Sequence, residues 1–332
     1  MDKIGNYHIL KFYLETIDNS YTLENENLLQ DGVNLLIDIV FNPLIENGAF
    51  KKEYVNQEKE NLTKILFSRQ DNKSLYAKDR CIEEMFENEP YSLYKYGSPD
   101  KINEINEKNL YEYYKKLIAN SKIDLFISGE NIENVKIPNI DSHELENITI
   151  KHNAHTNPKI VKENLDVTQG KLIIGLNTPE EDKLAVSLYN TILGGGANSK
   201  LFQNVREKQS LAYSAGSSYI RRQNTILVQT GIEIANYDKA LEIIKQQIQE
   251  MKNGNITNDE FNAAKELLIS SVNLIPESEE DTIAFYFDQR LFGDNLTITE
   301  YAEKLKNVTM EQVIDVAQKV SIDTIYFLKK GE

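Results

Sequence analysis

The stretch from Gly194 to Tyr213, GGGANSKLFQNVREKQSLAY, constrains this chain more than any other. Three consecutive glycines, Gly194, Gly195 and Gly196, end the apolar run AVSLYNTIL. Asn198 or Ser199 then stands where an N-cap belongs, ahead of a helix over KLFQNVREK. Ser210 closes that helix, where glycine is the commoner stop. Ala212-Tyr213-Ser214 leads into a strand. A glycine-rich loop before a helix N-terminus admits a ligand backbone or an anion. It serves equally as a helix C-cap with a turn, and glycines alone do not separate the two readings.

Arg206 and Tyr213 do bear on the choice, standing seven residues apart behind the loop. From Leu193 to Ser214 the chain resembles the M16 (pitrilysin) peptidases, the inverted-zinc-site family that includes the mitochondrial processing peptidase. Their second domain carries a loop of the form GG-x-x-S-x-L-F-x-x-x-R-E-x-x-x-L-x-Y, whose Arg and Tyr face the active site of the first domain and help to hold the peptide. The resemblance implies a substrate-binding role for Gly194, Gly195, Gly196, Ser199, Arg206 and Tyr213. Ser210 departs from the pattern, since the family has glycine there, and this bears on the helix exit.

At 332 residues the chain is long enough for two ordinary domains. The net charge of −15 argues against nucleic acid and anionic membrane as partners. No segment approaches a membrane span, and MDKIGNYHIL lacks the basic-then-apolar pattern of a signal peptide. A lone cysteine, Cys81, excludes an internal disulfide and fits a reducing, cytoplasmic setting. Cys81 reads as a small core residue.

Helical patterning runs over Asn27–Phe41, Ala49–Arg69, Ser74–Phe86 and from Pro99 to about Ala119, with strands at Tyr7–Glu15 and Ile123–Ser128. Between Ile137 and Asn164 the periodicity fades and Pro, Asn and His gather, which marks a linker. There His152 and His155 form H-x-x-H on no convincing helix and read as solvated. Beyond it come a strand at Val167–Leu176, a capping box at Thr178-Pro179-Glu180-Glu181, strands at Tyr213–Ile220 and Thr225–Ile234, helices over Tyr237–Lys252, Asn258–Leu274, Glu279–Leu291 and Ile298–Val320, and a last strand at Ile322–Leu328. Thr257-x-x-Glu260 and Thr309-x-x-Gln312 are further capping boxes. Elements grouped in this way predict an α+β fold with mostly antiparallel sheets.

The two halves repeat one another. EYVNQEKENLTKIL from Glu53 matches EFNAAKELLISSV from Glu260, the segment from Tyr94 matches the one from Arg290, and SKIDLFISGE from Ser121 matches SIDTIYFLKKGE from Ser321. Tyr7–Glu15 then corresponds to Thr225–Ile234, and Val167 to about Gln223 has no counterpart in the first copy. The expectation is two homologous M16-type α/β sandwich domains, 1–150 and 151–332, with the first incomplete at its N-terminus.

In the family, H-x-x-E-H on a first-domain helix supplies two zinc-binding histidines and the general base, and a glutamate on a later helix is the third ligand. This chain has no H-x-x-E-H. Glu58 matches the family's first glutamate on that later helix, but the ligand position seven residues on is Ile65. Glu53, Glu58 and Glu60 read as solvated. EKENL, DNKSLYAKDR, MFENEPY and YG look like the non-catalytic M16 paralogues of Gram-positive bacteria. The resemblance implies a subunit without zinc of its own. It would bind peptide and support a zinc-bearing M16 partner subunit, or form a homodimer. A truncated zinc metallopeptidase and a non-enzymatic assembly protein are the alternatives.

Overall fold

The structure, a computed structural model, describes residues 2–5, 7–23, 26–130, 132–140, 142–143 and 152–331. The proposed boundary at 150/151 and part of the linker lie outside these residues.

The chain runs β1 (Asp2–Ile4), β2 (Tyr7–Ile9), α1 (Leu28–Phe41), β3 (Ile45–Glu46), β4 (Ala49–Phe50), α2 (Lys52–Phe67), α3 (Lys73–Met85), α4 (Pro99–Ile102) and α5 (Glu107–Asn120). It continues with β5 (Lys159–Asn164), β6 (Gly170–Asn177), α6 (Lys183–Gly194), β7 (Ala212–Ile220), β8 (Thr225–Ile232), α7 (Tyr237–Lys252), α8 (Asn258–Leu274), α9 (Glu279–Phe292), α10 (Ile298–Lys306), α11 (Met310–Lys319) and β9 (Ser321–Lys329).

One mixed sheet of five strands, in the order β5-β9-β6-β8-β7, organises the second half. β5 joins β9 in parallel, and the other three pairings are antiparallel. Strand residues alternate between the two faces, and both faces are dry. Leu172, Ile174, Ile226, Val228, Ile325 and Phe327 meet the helices α6, α7 and α11. Ile173, Leu227, Tyr326 and Leu328 meet Tyr76, Ala77 and Cys81 of α3, a helix from the first half. Gly175 makes that approach possible, because a Cβ there would lie 2.5 Å from the Met85 sulfur. The seam is closed by Glu163, which accepts hydrogen bonds from the Tyr76 hydroxyl (2.5 Å), Arg80 Nε (3.0 Å) and the Tyr326 hydroxyl (2.8 Å).

Two sequence expectations fail in the first half. Of Tyr7–Glu15 only Tyr7–Ile9 is a strand, paired with Asp2–Ile4, and Ile123–Ser128 enters no ladder. A strand needs a ladder for its backbone groups, and among the described residues no ladder includes 10–15 or 123–128. Among the described residues the first half therefore holds only the two short ribbons β1–β2 and β3–β4, not a second sandwich. The box at Thr178 also fails. Thr178 N stays with the sheet, donating to Asn224 O, and α6 instead starts at Asp182, whose side chain caps Ala185 N. The helix expected over Ile298–Val320 is two helices, broken where the Thr309 box starts α11. Boxes at Thr257 and Thr309 form as the sequence suggests.

The elements α2, a 3-10 turn, α3, α4 and α5 recur in the same order as α8, a 3-10 turn, α9, α10 and α11. Gly97 and Gly293, which end the matched YKYG and RLFG segments, share left-handed φ values of 76° and 68°.

Candidate functional site

The glycine loop follows α6 directly. Gly194 is buried, and a Cβ there would lie 2.4 Å from the Ser217 amide nitrogen of β7. A Cβ on Gly216 would meet Gly194 O at 3.1 Å, so helix and strand cross backbone to backbone. A Cβ on Gly195 would crowd Thr191 Cα at 2.6 Å, whereas one on Gly196 would meet only Leu267 Cδ2, at 3.3 Å. Ser199 is buried. Its hydroxyl donates to Gly196 O (2.6 Å) and accepts from Phe202 N (3.4 Å), which is a capping role. Gly194, Gly195 and Ser199 thus have local structural reasons, and Gly196 and its neighbours form the accessible part of the loop.

The next helix is not a regular α-helix. Phe202–Glu207 is a π-helix, a form that appears often at functional positions. Lys208 N donates to Gln203 O and Leu211 N to Val205 O, widening the turn before β7. Ser210 takes a left-handed φ of 52°, the conformation that glycine adopts without cost. The resemblance puts glycine at this position, and the backbone keeps the glycine geometry with serine in place.

Arg206 and Tyr213 both reach the surface. The Arg206 guanidinium lies 4.6 Å from the Phe202 ring centroid and 3.7 Å from Glu207, with the side chain 43% exposed. Tyr213, 57% exposed, directs its hydroxyl toward Glu233 Oε1 at 3.5 Å, the outer limit of a hydrogen bond. Neither contact is tight. Among the described residues no hydrogen bond joins Arg206 to Tyr213.

The zinc position can be judged from its own residues. Ile65 is 42% exposed on α2, and Glu53, Glu58 and Glu60 lie exposed on the same helix. Among the described residues no three His, Cys, Asp or Glu side chains are grouped to hold a metal. A zinc ion does not fit the donor set at Ile65. Also among the described residues, no helix is long and apolar enough to cross a membrane.

The reading of His152 and His155 as solvated is wrong. His152 is inserted between two carboxylates, with Nδ1 2.9 Å from Glu89 and Nε2 3.2 Å from Asp323. Its ring also lies against Phe86. Asp323, on β9, is fully buried and receives further bonds from His155 N (3.0 Å), His155 Nδ1 (2.9 Å), Asn177 Nδ2 (3.0 Å) and Thr324 Oγ1 (2.8 Å). Burial alone would raise the Asp323 pKa, but the bonds from His152, His155 and Asn177 outweigh it and hold the group well below the usual carboxylate range. Burial likewise pulls His152 down, yet Asp323 and Glu89 prevail and raise it above its ordinary 6.5. An imidazole whose two nitrogens both face carboxylates is an imidazolium. This cluster ties the linker to the first half at Glu89 and to the sheet at Asp323. The sequence signal was an aspartate inside a buried strand, SIDTIYF, which demands a partner.

Comparison with known proteins places this geometry. Residues 104–268 match the family described as Peptidase M16 inactive domain. A probable inactive metalloprotease of Bacillus subtilis is 34% identical over 343 residues, covering 100% of this chain and 80% of that protein. Among solved structures, a conserved protein from Enterococcus faecalis superposes with a TM-score of 0.82 at 26% identity, covering 95% of this chain and 77% of that one. A peptidase M16 inactive domain from Pseudomonas fluorescens shares the fold, with a TM-score of 0.73 at 19% identity, covering 90% and 75%.

Proposed function

The chain belongs to the M16 peptidase family, with a probable inactive metalloprotease among its relatives, and on that premise we propose that it is a peptide-holding subunit acting beside a zinc-bearing M16 partner. The observation that carries the reading is the state of Arg206 and Tyr213. Both are exposed, on the two elements that follow the glycine loop, and neither polar tip is committed to a tight partner. A guanidinium offers a planar fork of donors to a peptide carbonyl or carboxylate, and a phenol adds one more. The partial exposure of Arg206 supports the role: its guanidinium lies over the Phe202 ring within the π-helix, and 43% of its side chain remains open to solvent. Ile65, at the position of the third zinc ligand, supports the assignment of chemistry to the partner.

We read the chain further as two copies of one M16-type unit, 1–150 and 151–332. The recurrence of α2 to α5 as α8 to α11 supports this, and so do the matched left-handed glycines.

The test is turnover of a quenched peptide by the reconstituted pair. Arg206→Ala and Tyr213→Phe should each lower kcat/KM by about tenfold, the loss of roughly one charged or neutral hydrogen bond to substrate. Thermal stability of the pair should stay nearly unchanged. Intact turnover with both substitutions in an assembled pair would put the assembly-protein reading ahead.

A further inference from the structure

Several sheltered lysines of this chain hold their protons in hydrogen bonds. Lys159 Nζ donates to Glu87 (2.6 Å), Lys200 Nζ to Glu260 (2.8 Å), and Lys265 Nζ to Lys306 O (2.8 Å) and Val308 O (2.6 Å). Lys183 differs. It is the first residue of α6 and is half-buried, with Nζ 3.4 Å from the centre of the Phe292 ring. Among the described residues that ring is the only partner of its ammonium, which donates no hydrogen bond and joins no ion pair.

Three features disfavour the charged form. Burial strips water from an ammonium that gains no acceptor in exchange. Arg221, directly after β7, brings a second cation to the same ring, 5.1 Å from its centre. The Arg221 charge is only partly answered, by one bond to Asp294 (3.1 Å), and its Nε is buried without a hydrogen-bond partner among the described residues. The start of α6 adds the positive end of a helix dipole, where a cation is misplaced. Asp294 and Asp288 from the α9 side and Glu180 ahead of α6 pull the other way without pairing with Nζ. Burial first and Arg221 second prevail, and the amine is pushed down to about 8.

We propose that Lys183 is an acyl-acceptor site, a lysine modified directly by activated acyl donors, namely acyl phosphates or acyl thioesters. Its free amine attacks the donor's carbonyl carbon. An N–C bond forms while the C–O bond to phosphate, or the C–S bond to thiolate, breaks. The leaving group takes the electron pair, and Nζ gives up one proton to water. The product is a neutral amide over Phe292. No carboxylate loses a partner by this change, and Arg221 loses a like charge, so the modified chain keeps its fold. The proposal does not depend on the peptide-holding reading.

The test is the acetylation rate of each lysine in the full chain, read by tandem mass spectrometry, with acetyl phosphate in one arm and an acetyl thioester of N-acetylcysteamine in the other. At pH 7.4 an amine of pKa about 8 is roughly a fifth free, against about one part in a thousand for an ordinary lysine. A weaker base is a weaker nucleophile, which takes back about one order of magnitude, as it does for thiols. Lys183 should therefore react about tenfold faster than Lys239, exposed on α7. Its rate should reach half its plateau at about pH 8. Arg221→Gln should slow Lys183 several-fold, while an unchanged rate at Lys265 reports an intact fold. Acetylation in one arm only names the donor and upholds the proposal. Three results overturn it: a Lys183 rate no higher than that of Lys239 in both arms, a Lys183 rate still climbing above about pH 10, or an unchanged Lys183 rate in folded Arg221→Gln.

Discussion

Asp323→Asn should be among the most damaging single substitutions in the chain, although it keeps the shape of the side chain. The carboxylate is fully buried and accepts five hydrogen bonds, from His152, His155 twice, Asn177 and Thr324. The amide places two donors among those donors and leaves the His152 imidazolium with Glu89 as its only carboxylate. Breaking a buried charge pair by removing one partner costs about 3–5 kcal/mol. Set against a typical total of about 5–15 kcal/mol, that is roughly a fifth of the stability or more. The assay is urea unfolding at several pH values, comparing midpoints at unchanged slope. The signs follow from the two shifts. His152 is raised, so its contribution is complete below its ordinary 6.5 and is lost as pH rises through the higher folded value. Asp323 is lowered, so its contribution is complete above its ordinary 3.8 and is lost as pH falls toward the folded value. Between 3.8 and 6.5 both are present, and the gap between wild type and Asp323→Asn should be widest there and narrow above neutrality. A gap under about 1 kcal/mol at pH 6, or one that widens toward pH 9, would refute the assignment of His152 as an imidazolium clamp.

Three other outcomes follow from backbone and charge. Ser210→Gly should raise stability by up to about 1 kcal/mol, because it relieves a left-handed residue, and a lower melting midpoint would contradict that. Gly194→Ala should cost about 1–3 kcal/mol through its clash with β7, whereas Gly196→Ala, which meets only Leu267, should be nearly neutral; equal effects would remove the close-approach argument. Lys183, half-buried over the Phe292 ring, is pushed down to about 8 by burial and then by Arg221, so Arg221→Gln should raise its titration midpoint in NMR of the 13C-dimethylated chain, and an unmoved midpoint would leave Arg221 without a role there.

The second half was readable because its signals are local. Apolar runs gave β6, β8 and β9, and Thr257-x-x-Glu260 and Thr309-x-x-Gln312 marked helix starts that the structure keeps. Thr178 misled because a capping box is a local preference, and the sheet claimed the Thr178 amide first. Tyr7–Glu15 and Ile123–Ser128 have strand composition, but pairing is a property of two segments, and composition reports only one. The glycine loop and the Arg206–Tyr213 spacing were plain in the sequence. The π-helix that carries Arg206 was not, since no side-chain pattern distinguishes it from an α-helix. His152 and His155 were misread because the aspartate that binds them lies far along the chain, at 323.

Helix α3 has a consequence for how this molecule comes apart. It is made early in the chain, yet the surface it covers is completed only when β9, the last strand, is in place. A fragment starting after the linker would therefore carry Ile173, Leu227, Tyr326 and Leu328 uncovered to water, and no cut near residue 150 yields two self-sufficient pieces. Proteolysis in the linker should leave the two products bound to one another. On the ribosome α3 meets β6 and β8 first, and its partner surface is complete only once β9 has been made. Unfolding should accordingly be one event shared by both halves, with the Tyr76–Glu163–Tyr326 seam giving way together with the sheet.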